Sequence, residues 1–419
     1  MVLAVQDRVL LPFHKTKRGV RIDSSFYLIL RFKMIFKMIH SRLQIILFCL
    51  LLVFCSQKKE KELVSAITIS TVPNSFEIED FFDEYKIVHL KNIDLIPNLY
   101  RAKSYDKNIY VLDGGRSKLY KMGNEGELNL ILSSKGDGPN EYNLISDFQV
   151  LNESEEILIY DGSKKTMMKF APSNNLISKH RLEGVQEKSL GAFQVMKDGK
   201  LLFNLISGSP NRFFVYDLPK NSFYEKSLLD SIYHGFDFGS DKGLTIGSNN
   251  FSTIHPFEYK ILSFNEKLEN QKSIALNFGV NSISGEELKG IKNDPNQLFD
   301  LINSDMKPKV HSFILEETEN FYLIQYFLGS FGGGKFLKTI ISKDGKKSNT
   351  FDNITLSQID IPFTLIGKLN DDRLIFSLNI EYIKNLTEEQ KASISEYIPA
   401  SYFDDNPILL IGKVRILKI

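Results

Sequence analysis

Short apolar segments alternate with polar turns along most of the chain from about residue 84 onward. Typical segments are IYVL at 109–112 and ILIY at 157–160, each followed by a turn rich in Asp, Gly and Lys. Runs of four to eight apolar residues between such turns are typical of β-strands. The abundance of Phe and Tyr, 32 and 17 residues, also favours strands over helices. The pattern therefore predicts an all-β chain.

The strands recur at a nearly constant interval. Asp113–Met122, DGGRSKLYKM, matches Asp161–Phe170, DGSKKTMMKF, without a gap at an offset of 48 residues. The tripeptide Phe-Gln-Val occurs at 148–150 and again at 193–195, an offset of 45 residues. Units of about 40–50 residues with several strands each are typical of β-propeller blades. The interval predicts six blades, with seven as the alternative.

Two stretches interrupt the strand pattern. Ser284–Met306 begins with the Ser-x-x-Glu spacing of a capping box and is divided by Pro295, whereas Thr387–Ile398 begins with Thr-x-x-Gln. We predict small helical insertions here, over one face of the propeller. The strand candidate Tyr85–Leu90 lies apart from blade one, so we expect it to share a blade with the C-terminal strands and close the ring.

The N-terminal region has the layout of a secretory signal. The apolar run at 43–54, LQIILFCLLLVF, is shorter than the roughly 20 residues that span a bilayer. It follows basic residues and precedes Cys55 and the polar segment SQKKEKE, which is similar to a bacterial lipoprotein signal. We predict lipidation of Cys55, with the bilayer as a partner and the cell envelope as the location. An ordinary signal peptide or a short anchor is the alternative, because Phe54 stands where a lipoprotein has a small residue.

The signal also sets the predicted domain limits. Residues 1–33 fit no part of it, so we expect translation to begin at Met34 or Met38. Residues 1–54 then form the signal region, 55–72 a linker, and 73–419 the propeller domain. Removal of Cys49 with the signal leaves Cys55 alone, which excludes a disulfide or a cysteine metal site.

The charge distribution argues against a nucleic-acid partner. The first 54 residues carry nine Lys and Arg but two acids, so the remaining chain has a net charge of −6. Binding a phosphate backbone needs a basic face, which this mature chain does not predict.

The stretch 135–142, KGDGPNEY, joins the predicted outer strand of blade one to the inner strand of blade two. It lacks the spacing of a phosphate-binding loop. We interpret it as a sharp turn in which Gly136 and Gly138 supply positive φ. The turn would bring its side chains near the axial mouth, where propellers usually bind ligands. The candidate ligand-face residues are Lys135, Asp137, Glu141, Tyr142 and Asp147.

These residues also carry a family resemblance. A strand ending in Tyr110–Asp113 (YVLD), a hairpin, and then G-x-G-P-x-E-Y at 136–142 resemble the six-bladed β-propeller lipoproteins of Bacteroidota, which have an NHL/TolB-like fold. The closing segment Asp405–Leu409, DNPIL, is similar to theirs too. The resemblance spans roughly residues 70–419. It implies a fold and a place in the envelope, but little chemistry.

Catalytic and metal-binding signatures are absent from the sequence. It has no G-x-S-x-G elbow and no calcium loop. No two of the histidines beyond the signal have the i, i+4 spacing of a helical metal pair, and we expect loop or core roles for them: His89, His180, His234, His255 and His311. We therefore predict no catalytic residues, metal or cofactor.

Two functional hypotheses remain. The first is a module that binds a protein, peptide or glycan at the cell envelope, which the lack of a catalytic signature favours. The alternative is a hydrolase or lyase that acts on a carbohydrate or lactone at the axial funnel, with Glu141, Asp147 and Asp237 as candidate acids. The enzyme hypothesis predicts that ionisable side chains of several blades meet at the axis with perturbed pKa values.

Overall fold

The computed structural model describes residues 63–415 apart from short gaps. The gaps are 92–95, 97–98, 152–153, 208, 235, 237–241, 248–249, 292–293, 305, 370–371 and 404–405. The predicted signal region, Cys55 and the candidate acid Asp237 lie outside the described residues. No helix within the described part of the chain is both long and apolar enough to cross a bilayer.

The described strands form six antiparallel blades. Blade 1 contains β4 (Leu99–Tyr105), β5 (Asn108–Asp113), β6 (Lys118–Met122) and β7 (Leu128–Leu132). Blade 2 contains β8 (Ile145–Leu151), β9 (Glu156–Asp161), β10 (Thr166–Phe170) and β11 (Leu176–Arg181). Blade 3 contains β12 (Ser189–Val195), β13 (Leu201–Ser207), β14 (Asn211–Asp217) and β15 (Ser222–Leu228). Blade 4 contains β16 (Leu244–Ile246), β17 (Phe251–Ile254), β18 (Lys260–Phe264) and β19 (Asn270–Asn277). Blade 5 contains β20 (Val310–Glu317), β21 (Phe321–Leu328), β22 (Lys335–Ser342) and β23 (Ser348–Leu356). Blade 6 contains β24 (Ile359–Lys368), β25 (Leu374–Leu378), β26 (Ile408–Val414) and the N-terminal strand β3 (Phe82–His89).

The inner strands form a closed circuit. Each of β4, β8, β12, β16, β20 and β24 contacts the next, and β24 returns to β4 through a parallel pairing. The predicted six-bladed propeller is therefore confirmed. We call the face at which these inner strands begin the upper face, and the face at which they end the lower face.

N-terminal strands cover three outer blade edges. β1 (Leu63–Thr68) pairs in parallel with β19, and β2 (Asn74–Glu77) pairs in parallel with β23. β3 pairs antiparallel with β26, from Ile408 opposite His89 to Val414 opposite Phe82, as expected for ring closure. The linker prediction is wrong for residues 63–68, because this stretch is a strand of blade 4. Its pairing with β19 hides a sheet edge.

Helices occur where the strand pattern fails. α1 (Ile78–Phe81) precedes β3, α2 (Gly285–Ile291) and α3 (Pro295–Ile302) join β19 to β20, and α4 (Ile380–Lys384) and α5 (Glu388–Ser393) join β25 to β26. Single 3₁₀ turns occupy Ser231–Tyr233, Gly279–Asn281 and Ala400–Tyr402. Both predicted capping boxes form. Because strands alternate in direction, both helical connections belong to the upper face.

The core is divided among the blade interfaces. One buried apolar cluster lies between each pair of adjacent blades, for example the cluster of Tyr110, Tyr142 and Phe148 between blades 1 and 2. A seventh cluster packs α2 and α3 against Phe236 and Phe257. Full burial of one such side chain contributes about 1.5–3 kcal/mol, so each interface holds its two blades firmly.

Candidate functional site

A cavity of about 670 Å³ lies between the inner strands on the propeller axis. Its rim includes Gly247, Asn320 and Asp372, which follow the ends of three inner strands. The cavity therefore opens on the lower face. Its volume falls within the range of small-molecule sites, about 300–1,000 Å³.

Each inner strand places a polar side chain on the cavity wall. We call these six residues the axial girdle: Lys103, Gln149, Gln194, Thr245, Glu316 and Lys368. Gln149 Nε2 donates to Gln194 Oε1 at 2.7 Å, and Thr245 Oγ1 donates to Glu316 Oε2 at 3.0 Å. Lys103 and Lys368 are Cα partners between β4 and β24. The girdle thus places a polar residue from each of the six blades on the wall of one space, although the Lys103 ammonium itself is buried against Asp147.

Asp147 lies behind the girdle and is fully buried. Its carboxylate on β8 lies 2.6 Å from Arg101 Nη1 and 2.9 Å from Lys103 Nζ, both on β4. The backbone N–H of Phe193 on β12 donates to the other carboxylate oxygen at 2.9 Å. The backbone N–H of Phe148 donates to the first oxygen at 2.8 Å. A single carboxylate therefore joins blades 1, 2 and 3 at the axis.

Burial and ion pairing act in opposite directions on this group. Burial raises the pKa of Asp147, but the charges of Arg101 and Lys103 outweigh it and hold the pKa below its usual range. Burial lowers the pKa of Lys103 to about 8, although Asp147 opposes that shift. Lys103 is therefore closer to losing its proton near neutral pH than an exposed lysine is.

Glu316 is the girdle's carboxyl group. Burial raises the pKa of Glu316, while the nearby charges of Lys368, Arg101 and Lys103 lower it to a smaller extent. A carboxyl with a raised pKa and a lysine with a lowered pKa in one cleft are a feature of functional sites. Ionisable side chains from blades 1, 2, 5 and 6 thus meet at the axis, as the enzyme hypothesis requires.

Only Asp147 among the predicted ligand-face residues reaches the axis, and it lies behind the cavity wall. The other four lie on the connection between β7 and β8: Lys135, Asp137, Glu141 and Tyr142. None of them lines the cavity. The reason is topological, because a connection from an outer strand to the next inner strand stays on the upper face, whereas the cavity opens on the lower face.

Internal contacts hold this connection in place. The buried hydroxyl of Tyr142 donates to the carbonyl of Ser117 at 3.0 Å, and the carboxylate of Glu141 accepts from the N–H of Gly138 at 2.7 Å. The predicted positive φ at Gly136 and Gly138 is wrong, since neither residue is left-handed. A Cβ on Gly136 would lie 2.0 Å from the Glu141 carboxylate, so glycine makes room for that side chain.

The histidines give no metal centre in the described part of the chain, where no three His, Cys, Asp or Glu residues are placed to hold an ion. His255 and His311 are buried. Burial lowers the pKa of His255 to about 3, and the charge of Arg212 adds to this shift. Burial also lowers the pKa of His311.

The arrangement of six blades around a polar axis agrees with comparisons to known proteins. The profile of the 6-bladed β-propeller family DUF5128 matches residues 56–359. The chain belongs to this family. No curated protein sequence matches the chain.

Two solved structures are similar to this family member. A protein of Bacteroides fragilis described as exported shares 20% identity at a TM-score of 0.65, covering 84% of this chain and 100% of that one. A member of the DUF4221 family from Bacteroides vulgatus shares 12% identity at a TM-score of 0.50, covering 80% and 97%. At these identities the likeness shows the fold. The predicted resemblance to Bacteroidota propellers is confirmed.

The axial girdle was not predicted from the sequence, although one signal for it was present. The repeated Phe-Gln-Val places Gln149 and Gln194 at equivalent positions of β8 and β12, and these two side chains meet at the axis. Alternate residues of a strand point to opposite sides. Aligning the other inner strands on this glutamine position would have placed polar residues of those strands at the same height along the propeller axis.

Replacing Asp147 with Asn should reduce the free energy of unfolding at pH 7 by about 3–5 kcal/mol, because two buried cations lose their counter-charge. The folded pKa of Asp147 is lowered, so its contribution is complete above the unfolded pKa of about 3.9 and is lost as pH falls through the folded value. Urea unfolding across this pH range measures the effect. Asp137→Asn, at an exposed carboxylate, is the control and should change stability by less than about 0.5 kcal/mol. Equal losses in the two variants would contradict the assignment.

Proposed function

We propose that this propeller is a lipid-anchored protein of the cell envelope that binds a peptide or glycan group in its axial cavity. The axial girdle carries this proposal, since six separate blades each give a polar side chain to one accessible space. Holding polar groups away from bulk water costs free energy unless they find partners. A propeller with a purely structural role would fill its axis at lower cost with apolar side chains.

The cavity wall suits a ligand recognised mainly by hydrogen bonds. Its apolar contributors are small or aliphatic: Ala102, Leu244, Ile246, Ile314 and Ile366. Amide, hydroxyl, carboxyl and ammonium groups of the girdle supply both donors and acceptors. A site built from such groups rejects ligands that leave them unpaired, which favours selective binding.

The envelope location rests on the sequence before the propeller and on a relative. Cys55 ends an apolar run and is followed by seven polar or charged residues, after which β1 begins at Leu63. The similar Bacteroides fragilis protein is described as exported. A lipid-bearing cysteine and a short polar tether would hold the propeller at a membrane surface, and stable anchoring needs two or more acyl chains.

Replacing Cys55 with Ser should release the protein from membranes or leave it as an unprocessed precursor. The full chain, produced in cells with a lipoprotein pathway, is fractionated, and its N-terminal peptide is weighed by mass spectrometry. The unaltered chain should partition with membranes and begin at an acylated Cys55. Cys49→Ser is the control and should behave like the unaltered chain. A mature, unacylated product that retains residues upstream of Cys55 would refute the anchor.

Replacing Gln149 with Leu should weaken ligand binding about tenfold, the effect of losing roughly one hydrogen bond to a buried ligand. Gln149 Nε2 also donates to the carbonyl of Phe193 at 2.8 Å, so unfolding curves must accompany the binding data. The ligand is selected by screening the protein on glycan and peptide arrays. Gln271→Leu, at an exposed position of β19, is the matched control. Unchanged binding by the Gln149 variant would place recognition outside the cavity.

An enzyme is the second candidate, favoured by the opposite pKa shifts of Lys103 and Glu316 on one cavity wall. A neutral carboxyl can donate a proton to a leaving oxygen, and a neutral amine can accept one. The reaction would be hydrolysis or elimination on a carbohydrate or lactone. This candidate uses the same cavity and adds turnover to binding.

If the protein is an enzyme, replacing Glu316 with Gln should lower turnover by about 100-fold or more. The affinity for the substrate should stay within a few-fold of that of the unaltered protein. Activity that requires protonated Glu316 together with neutral Lys103 would give a bell-shaped pH profile, with one limb at the Lys103 pKa of about 8 and the other at the raised pKa of Glu316. Release of product from a carbohydrate and lactone panel is the measurement. Glu319→Gln, at an exposed rim position, is the control. Equal turnover in both variants would remove Glu316 from the chemistry.

A further inference from the structure

We infer that the outer edge of blade 3, formed by β15, is a second binding site that takes an extended apolar peptide of about five residues as a fifth strand. The site is separate from the axial cavity, so it does not depend on the proposed function. The open edge of β15, the apolar side chains on it, and the strands that this chain adds to its own neighbouring blades support this site.

In the described part of the chain, three blades end in an outer strand that no further strand covers: β7, β11 and β15. The outer edges of blades 4 and 5 are covered by β1 and β2, and β3 completes blade 6. An uncovered edge presents a row of unpaired N–H and C=O groups, which can pair with another chain. Blades 1, 2 and 3 therefore have edges that can accept an added strand.

β15 differs from the other two open strands in the side chains that it exposes. β11 carries a run of three exposed basic residues at 179–181, and charged residues on an edge strand discourage pairing. β7 has one large exposed apolar residue, Leu130. β15 exposes Phe223, Tyr224 and Leu228, which are 43%, 45% and 70% accessible. Apolar side chains grouped on an open edge mark an interaction site.

The two aromatic residues lie at the outer margins of different interblade clusters. Phe223 stacks on Phe214 with ring centroids 5.1 Å apart, and Phe214 belongs to the cluster between blades 2 and 3. Tyr224 is the Cα partner of Val215, which belongs to the cluster between blades 3 and 4. Alternate residues of a strand point to opposite sides. Successive side chains of a strand added beside β15 would therefore extend both clusters outward.

β1 and β2 show which kind of segment an outer edge of this propeller accepts. Both pair in parallel with the outer strand beside them. Ile67 of β1 and the following Ile69 join the cluster between blades 4 and 5, and Phe76 of β2 packs against the cluster between blades 5 and 6. An extended segment with β-branched or aromatic residues at alternate positions is therefore the occupant that matches β15.

The open stretch is too short to hold two copies of the chain together. Ser227 has a φ of 67°, a left-handed conformation that interrupts the strand, so the regular edge spans residues 222–226. Five residues at about 3.3 Å extend about 17 Å, and an edge about 10 Å thick then offers roughly 170 Å². A stable dimer buries about 800 Å² on each partner. A single peptide, whose main chain supplies the hydrogen bonds, suits the smaller contact.

The test measures binding of fluorescein-labelled peptides of about eight residues, in which Thr alternates with Ile, Val or Phe, to the full chain in detergent. Fluorescence anisotropy should detect a Kd below about 1 mM for at least one peptide. Hydrogen exchange should show that this peptide protects the amides at 222–226. Each peptide is paired with a version methylated at alternate backbone nitrogens, which keeps the side chains but removes strand hydrogen bonds. The methylated version should bind at least about tenfold more weakly.

Tyr224→Lys should weaken binding of the unmethylated peptide about tenfold, because it removes an apolar contact and places a charge on the open edge. Ile177→Lys, at a 47% exposed position of β11, is the matched control and should bind like the unaltered protein. Tyr224→Thr keeps a strand-forming residue and guards against a folding defect, which circular dichroism detects.

Three results would each refute strand addition at β15: no binding by any peptide, equal binding of methylated and unmethylated peptides, or equal losses in the Tyr224 and Ile177 variants. Sedimentation of the full chain should show no self-association. A dimer that Tyr224→Lys dissociates would overturn the inference and assign the edge to a second copy. The dependence of array binding on Gln149 decides the proposed function separately.

Discussion

Closure of the ring by β3 and β26 is the constraint on which the rest of the molecule depends. Without β3, blade 6 would expose the edge of β26, and both buried faces of that strand, with Leu409 on one and Leu410 on the other, would lose their outer neighbour. Each of the six interblade clusters needs both of its blades, so an open ring exposes two blade faces at once. The closing strand comes from the N-terminal part of the chain and the other strands of blade 6 from its C-terminal part. Pairing between strands so distant in the sequence depends on the arrangement of the whole fold.

A closed ring forces six inner strands to meet at one axis, and this convergence creates the electrostatics of the site. A carboxylate such as Asp147 pays a large desolvation cost there, which two cations and two backbone N–H groups offset. A buried pair of this kind adds little net stability, but breaking it is costly. Its main effect is to fix the positions of β4, β8 and β12. The positions of these three strands in turn determine where the side chains of Lys103, Gln149 and Gln194 lie.

The features that sequence alone predicts are local. Strand patterning and the 48-residue repeat between blades 1 and 2 predict the propeller, and the capping box at Thr387 predicts α5. β1 escaped prediction because its partner β19 lies about 200 residues away and its neighbours are polar. α4 escaped because its five residues, Ile380–Lys384, directly continue an apolar strand pattern.

The candidate site was harder to predict because its geometry is not local. Lys103 and Glu316 belong to blades separated by more than 200 residues, and no spacing in the sequence relates them. Glycines and a proline at 135–142 indicate a turn correctly, but they do not say on which face of the ring it lies. The repeated Phe-Gln-Val identifies residues of the site only once its glutamines are known to lie at the axis. That knowledge requires the three-dimensional arrangement of the inner strands.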